Sequence, residues 1–163
     1  MTSKLTHVSL AVDDLAAAVT FYTELLGLEP LPTPDFQEQE DVDGPNTTSA
    51  FLRCGDQQFH LFIEPDAEPM LYSHVAIHVD DFEEVYRRAK QLDAFAALGE
   101  LTAQPRIFQI DRNVQMYLRD PSDNLVEINS PDISALDTDT FDRIIHRDIA
   151  GPEIGVYMTE ELS

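Results

Sequence analysis

The sequence is poor in cysteine, tryptophan and long apolar runs. Cys54 is the one cysteine among 163 residues, so an intramolecular disulfide is excluded. Tryptophan is absent. No run approaches the roughly 18 apolar residues that a membrane-spanning helix requires. The first residues also lack an apolar stretch of signal-peptide length, so we expect a cytoplasmic protein.

Positive charge is scarce as well. Thirty-one acidic residues face ten basic ones, for a formal net charge of −21, and only Lys4 and Lys90 are lysines. Such a surface repels nucleic-acid phosphates and anionic lipids, so we expect no nucleic acid and no membrane as partners. The acids are spread along the chain rather than gathered in a tail. This distribution predicts a halophilic protein that needs salt, with an ordinary acidic protein as the alternative.

An internal repeat organises the chain. The segment HVSLAVDDL, which starts at His7, returns as HVAIHVDDF from His74, a displacement of 67 residues. Both copies alternate apolar and polar positions, as a strand with one buried face does. Each copy then runs through an Asp–Asp pair, suited to capping, into a helical pattern. The repeat predicts helices over 14–26 and 81–93, the first of them stopping at Gly27.

The same displacement relates the ends of the two repeats. In each, a strand, a turn and a second strand follow one another, and adding 67 to His60 gives Glu127. If the repeats pair about a pseudo-twofold axis, His7, His60, His74 and Glu127 converge. Two imidazoles and one carboxylate form a set suited to one divalent ion, Fe, Mn, Ni, Co or Zn, with open positions for substrate and water. His60 is then a fourth ligand or an acid–base group.

The predicted organisation is one structural domain made of a first module (1–66), a second module (67–131) and a C-terminal helix and tail (132–163). Residues 28–50 are expected to hold one short strand and a long loop. The segment 94–112 is expected to hold the second strand of its module and part of the third. The pattern of 137–147 predicts a short capped helix.

The chain resembles the vicinal oxygen chelate superfamily, also called the glyoxalase/bleomycin-resistance/dioxygenase family. The resemblance covers about residues 4–130 and rests on HVSLAVDDL with FYTELLG in the first repeat, then on HVAIHV and YLRDPSDNLVE in the second. It implies an α+β fold in which two paired βαβββ modules form an open, cup-like mixed sheet around a metal. It also implies a small-molecule substrate that binds the metal through adjacent oxygens, so that the ion stabilises developing negative charge.

The resemblance leaves several reactions open. Extradiol ring-cleaving dioxygenases also use two His and one Glu, with a tyrosine where Tyr117 stands and an acid–base histidine near the position of His60, which favours a dioxygenase by a small margin. Glyoxalase I carries a glutamate at the place of His60 and tends to carry an arginine at the place of Ala11. A lyase or isomerase, in which Glu127 is the base, remains an alternative, as do a fosfomycin-type thiol transferase and a non-catalytic binding protein.

Tyr117 and His78 are the expected substrate contacts. Such proteins build their sites within one chain or across a homodimer, and both arrangements stay open.

Overall fold

The computed structural model describes residues 5–33 and 48–147. Its contacts divide the chain into two compact units, one of residues 1–73 with 120–124 and one of residues 74–119 with 125–163. The first unit contains a four-stranded sheet and the second a five-stranded sheet. The predicted α+β class with paired βαβββ modules is confirmed.

The first unit follows the βαβββ order. Its elements are β1 (His7–Val12), α1 (Leu15–Thr20), a π-helical turn (Phe21–Leu25), β2 (Glu29–Leu31), β3 (Ser49–Cys54) and β4 (Gln57–Ile63). The strands lie in the order β1-β4-β3-β2; β1 and β4 are parallel, and the other pairs are antiparallel. The long loop predicted before β3 falls largely on 34–47, outside the described residues.

The helix predicted over 14–26 exists but changes type within its length. The Asp14 carboxylate accepts from the backbone N–H of Ala17 at 2.9 Å, which caps the first turn as expected. The Thr23 hydroxyl donates to the Val19 carbonyl at 2.8 Å, and this side-chain bond competes with the α-helical ladder where the π-helical turn lies. Gly27, at φ 73°, ends the helix in the left-handed region that glycine adopts without strain.

Among its described residues, the second unit has five strands and one α-helix, which is one strand more than the first unit has. These elements are β5 (Val75–His78), α2 (Phe82–Gln91), β6 (Ile107–Ile110), β7 (Asn113–Arg119), β8 (Leu125–Ser130) and β9 (Ile144–Arg147). The order is β5-β8-β7-β6-β9, with β5/β8 and β6/β9 parallel and the rest antiparallel. The helix predicted over 81–93 is confirmed as α2. Asp81 caps it by accepting from the Glu84 N–H at 3.0 Å.

The second strand of the module, expected within 94–112, forms there as β6, whereas the third strand, β7, begins only at Asn113. The residues before β6 are held in another way. The guanidinium of Arg106 donates to the carbonyls of Thr102, Gln104 and Ala96, the last at 2.9 Å. These carbonyls are therefore satisfied by a side chain rather than by a neighbouring strand. Only an isolated bridge between Phe95 and Leu118 joins this stretch to β7.

The helix predicted over 137–147 is wrong beyond its first turn. Asp137 caps a short 3₁₀ helix at Thr138–Thr140, after which the chain becomes strand β9. Two adjacent isoleucines, Ile144 and Ile145, favour a strand and pair with Ile107 and Phe108 of β6. Residues after 147 lie outside the described part of the chain. Within that part, no helix is both long enough and apolar enough to cross a membrane.

A buried polar turn belongs to the first unit although it joins β7 to β8 along the chain. The carboxylate of Asp120 accepts from the Tyr22 hydroxyl at 2.9 Å, the Ser122 N–H at 3.0 Å and the Asn124 N–H at 2.8 Å. The Asn124 side chain also donates to the Ala11 carbonyl at 2.9 Å. Burial raises the pKa of Asp120 and, more strongly, that of Tyr22.

Candidate metal centre

One predicted ligand pair lies in the second unit. Nε2 of His74, just before β5, is 3.2 Å from Oε2 of Glu127 in β8. The Glu127 side chain is only 4% exposed, whereas that of His74 is 36% exposed. A buried carboxylate is costly unless a cation or hydrogen-bond donors compensate its charge. The pair therefore faces solvent through the histidine while its carboxylate is held inside.

The distance within this pair suits two ligands of one metal ion. Nitrogen and oxygen ligands at about 2.1 Å from a tetrahedral or octahedral ion lie roughly 3.0–3.4 Å from each other. The 3.2 Å between His74 Nε2 and Glu127 Oε2 falls in that range. An imidazole and a carboxylate are also ligand types that first-row divalent metals take. By distance and by chemistry, the residues fit the ion.

The other predicted pair lies in the first unit. The rings of His7 in β1 and His60 in β4 are stacked, with centroids 4.4 Å apart and an interplanar angle of 14°. The His60 ring also stacks on Phe51, at 3.6 Å and 5°, and its Nε2 is 2.9 Å from Oε1 of Gln58. Burial and the neighbouring His7 ring lower the pKa of His60, which favours the neutral imidazole, the form that binds a metal or accepts a proton.

The four predicted ligands therefore occur as two pairs, one in each unit. Across residues 5–33 and 48–147, no three His, Cys, Asp or Glu side chains are grouped as for a metal ion. That all four share one ion stays a prediction.

Tyr117 lies beside the second pair. It is opposite Glu127 in the antiparallel register of β7 and β8, so the two side chains share a face of the sheet. Its ring meets that of His74 edge to face at a centroid distance of 5.6 Å. Gln115 donates to the Tyr117 hydroxyl at 2.6 Å and is 4% exposed. Tyr117 is thus held next to the candidate metal ligands.

The other predicted substrate contact, His78, is exposed at the end of β5. Its Nδ1 is 3.2 Å from the carbonyl oxygen of Asn129 in β8. This contact engages one ring nitrogen with the backbone. A role for His78 in binding substrate stays a prediction.

Three further residues of this sheet face escaped the sequence reasoning. Gln115 stands two positions before Tyr117, and strand alternation alone could have placed it on the same face. Phe108 packs against Tyr117 at a centroid distance of 5.9 Å, and the guanidinium carbon of Arg147 lies 4.2 Å from the centre of the Phe108 ring. Arg147 was missed because the helix predicted over 137–147 hides the strand that carries it.

Sequence comparison finds proteins that are similar to this chain. The chain is 32% identical over 100 residues to glutathione transferase FosA of Serratia marcescens, a match that covers 56% of this chain and 61% of that protein. It is 26% identical over 133 residues to a probable lactoylglutathione lyase of Vibrio parahaemolyticus, covering 77% and 88%. The chain thus spans less than two thirds of the FosA sequence but most of the lyase sequence.

A solved structure has the same fold. It is a mutant of the fosfomycin resistance protein FosX from Listeria monocytogenes, complexed with Mn(II) and 1S,2S-dihydroxypropylphosphonic acid. The TM-score is 0.59 at 17% identity, over 82% of this chain and 96% of that one. The profile of the Glyoxalase/Bleomycin resistance protein/Dioxygenase superfamily matches residues 4–128. With that match over most of its length, the chain belongs to the Glyoxalase/Bleomycin resistance protein/Dioxygenase superfamily.

Proposed function

We propose that this protein is a divalent-metal-dependent enzyme that acts on a small molecule with two adjacent oxygens. His7, His74 and Glu127 hold the ion, and His60 is a fourth ligand or an acid–base group. The observation that carries the proposal is the pairing of the buried Glu127 carboxylate with His74 at 3.2 Å. The FosX structure supports it, because that relative holds Mn(II) together with a compound that bears adjacent hydroxyls.

The side chains around the pair have distinct roles. A bound divalent ion supplies a Lewis acid that polarises the adjacent oxygens of the substrate. Gln115 donates to the Tyr117 hydroxyl, so the tyrosine keeps its own proton to donate to a substrate oxygen. His60, with its lowered pKa, is neutral near pH 7 and can accept a proton from the substrate.

We favour an extradiol-type dioxygenase reaction on a catechol-like substrate. Tyr117 beside His74 supplies a hydroxyl next to the ligands, and His60 supplies the base. The second candidate is thiol transfer or a glyoxalase-type lyase reaction. Its support is the 32% identity to glutathione transferase FosA and the match to the probable lactoylglutathione lyase.

The test of the metal site is elemental analysis of protein purified without oxygen in high salt. We expect about one divalent ion per chain, lost in His74→Ala and kept in His146→Ala, a control that removes a histidine exposed on β9. Circular dichroism checks that both variants are folded. A folded His74→Ala protein that still holds stoichiometric metal contradicts the ligand assignment. Wild-type protein that takes up no metal under any loading condition would indicate a non-catalytic binding protein.

The reaction is decided on the same samples. Oxygen uptake with catechol, together with iron or manganese, supports the dioxygenase. Consumption of glutathione in the presence of an electrophile, without oxygen uptake, supports the transferase or lyase. Replacing Tyr117 by Phe distinguishes the role of the hydroxyl, because metal content should stay near one per chain while turnover falls roughly 10–100-fold.

A further inference from the structure

Strand β9 extends the second sheet beyond the part of the chain that the superfamily accounts for. The family match ends at residue 128, whereas β9 covers Ile144–Arg147 and pairs in parallel with β6. The first unit has no counterpart among its described strands, since its sheet ends at β2. β9 therefore lies outside the segment that the family match covers, at one edge of the sheet that contains Glu127.

The register places Arg147 on the same face as the candidate ligands. Phe108 pairs with Gln115 of β7 and with Ile145 of β9, so these side chains share one face. Alternation adds Arg147, two residues after Ile145, and Tyr117, two residues after Gln115. The sheet face that carries the candidate metal ligands therefore also carries the Arg147 guanidinium, on the edge strand β9.

Ring contacts connect the guanidinium to the ligand pair. The carbon at its centre lies 4.2 Å from the Phe108 ring centre, that ring packs against Tyr117, and Tyr117 packs against His74. A guanidinium over the face of an aromatic ring is attracted to that face and keeps its N–H donors available for other partners. Arg147 is therefore held over Phe108, although it is exposed.

The charge of Arg147 is also uncommitted among its described neighbours. Within residues 5–33 and 48–147, no carboxylate forms an ion pair with it, whereas Arg112 is paired with Asp132 and Arg87 with Glu84. Among the described residues, the guanidinium of Arg147 therefore keeps its charge and its N–H donors available for a ligand. It suits an oxoanion on a ligand, which accepts two parallel N–H bonds from a guanidinium.

We infer that Arg147 binds an anionic group of the substrate, so that the enzyme prefers molecules that carry a carboxylate or a similar oxoanion in addition to their adjacent oxygens. The inference rests on the proposed function for the position of the adjacent oxygens at the metal. Arg147 is a specificity-determining residue that the C-terminal strand brings to the site face. Phe108, over whose ring the guanidinium lies, is two strands across the sheet from Glu127 (about 9.6 Å) and two residues along it (about 6.7 Å). The separation is therefore roughly 12 Å, which an aromatic diol with a carboxylate spans between the ion and the guanidinium.

The experiment compares two ligands that differ in one carboxylate, catechol and 3,4-dihydroxybenzoate. Both are titrated calorimetrically, without oxygen, into iron-loaded protein at the lowest salt concentration that keeps it folded. Wild-type protein should bind the dihydroxybenzoate about tenfold more tightly than catechol, as expected for one charge-assisted interaction. Arg147→Gln should remove that preference and leave the affinity for catechol unchanged. Arg87→Gln makes the same change in net charge on α2 and should keep the preference.

A second measurement does not depend on the metal. In metal-free ¹⁵N-labelled protein, the Arg147 Nε–H signal, identified by its loss in Arg147→Gln, should shift on addition of sodium benzoate. An unmoved signal, or a preference that is the same in Arg147→Gln as in the wild type, overturns the inference. Failure of the proposed function would look different: neither diol would require the metal or His74 for binding, while benzoate would still shift the Arg147 signal.

Discussion

The hydrogen bond between Tyr22 and Asp120 gives the sharpest prediction about stability. Tyr22→Phe removes one hydroxyl and keeps the ring, which packs against Phe21 and Phe59 at centroid distances of 5.2 and 5.0 Å. The Asp120 carboxylate loses its bond from the hydroxyl at 2.9 Å and keeps those from Ser122 and Asn124. The perturbation is therefore confined to one interaction.

The expected loss follows from where that bond lies. Tyr22 is 0% exposed and Asp120 4% exposed, so water does not replace the hydroxyl. A hydrogen bond to a charged group contributes about 1.5–3 kcal/mol, and we expect the free energy of unfolding to fall by about 2 kcal/mol. For a chain of this size, that corresponds to a decrease in melting temperature of roughly 4–8 °C.

Urea denaturation followed by far-ultraviolet circular dichroism measures the change, since the chain has no tryptophan to report by fluorescence. Tyr72→Phe is the matched control, because Tyr72 is 92% exposed and its variant should stay within about 0.5 kcal/mol of the wild type. The loss in Tyr22→Phe should shrink as the pH falls through the raised pKa of Asp120, where the carboxyl becomes protonated. A Tyr22→Phe protein as stable as the control at pH 7 refutes the reasoning.

Two further predictions concern charge. The hydrogen bond from Arg112 lowers the pKa of Asp132 to about 2, so its contribution to stability is complete above the unfolded value near 3.8 and is lost as the pH falls through about 2. In Asp132→Asn, the free energy of unfolding from urea titrations should fall less steeply between about pH 3.8 and pH 2 than it does in the wild type. The same fall in both proteins would contradict the role of the Arg112–Asp132 pair. With a net charge of −21, the protein should lose its circular dichroism signal when dialysed from molar salt into dilute buffer. Full stability in low salt would exclude the halophilic interpretation.

Local patterns predicted those parts of the fold that depend on neighbouring residues. Alternation identified β1 and the strand that begins after His74, and the Asp–Asp pairs identified the start of both helices. The offset between His60 and Glu127 predicted their equivalent positions on β4 and β8. The strands and the helix starts are each encoded within about ten residues, which is the range over which periodicity acts. The offset spans 67 positions and was found because the chain repeats itself.

Features that depend on distant partners escaped prediction. Tyr22 and Asp120 are 98 positions apart, and nothing in either local sequence indicates that they meet. The sequence predicted a helix where β9 lies, because Asp137 begins a capped turn. The strand forms because these residues pair with β6, which is distant in sequence. The bonds from the Arg106 side chain to three carbonyls likewise leave no periodic signal in the sequence.

The assignment of residues 120–124 to the first unit has a consequence for biosynthesis. A ribosome that has released residues 1–73 has released every strand of the first sheet, yet Tyr22 and the Ala11 carbonyl still lack the partners supplied by Asp120 and Asn124. Domains generally fold in the order of their synthesis. During translation of this chain, however, the buried hydrogen bonds of the first repeat cannot all form until most of the second repeat has left the ribosome. For the same reason, a gene cut between the repeats at residue 73 would yield a first half with an unsatisfied buried tyrosine. The first repeat therefore depends on a segment that lies within the second, and a gene for the first repeat alone would lack it.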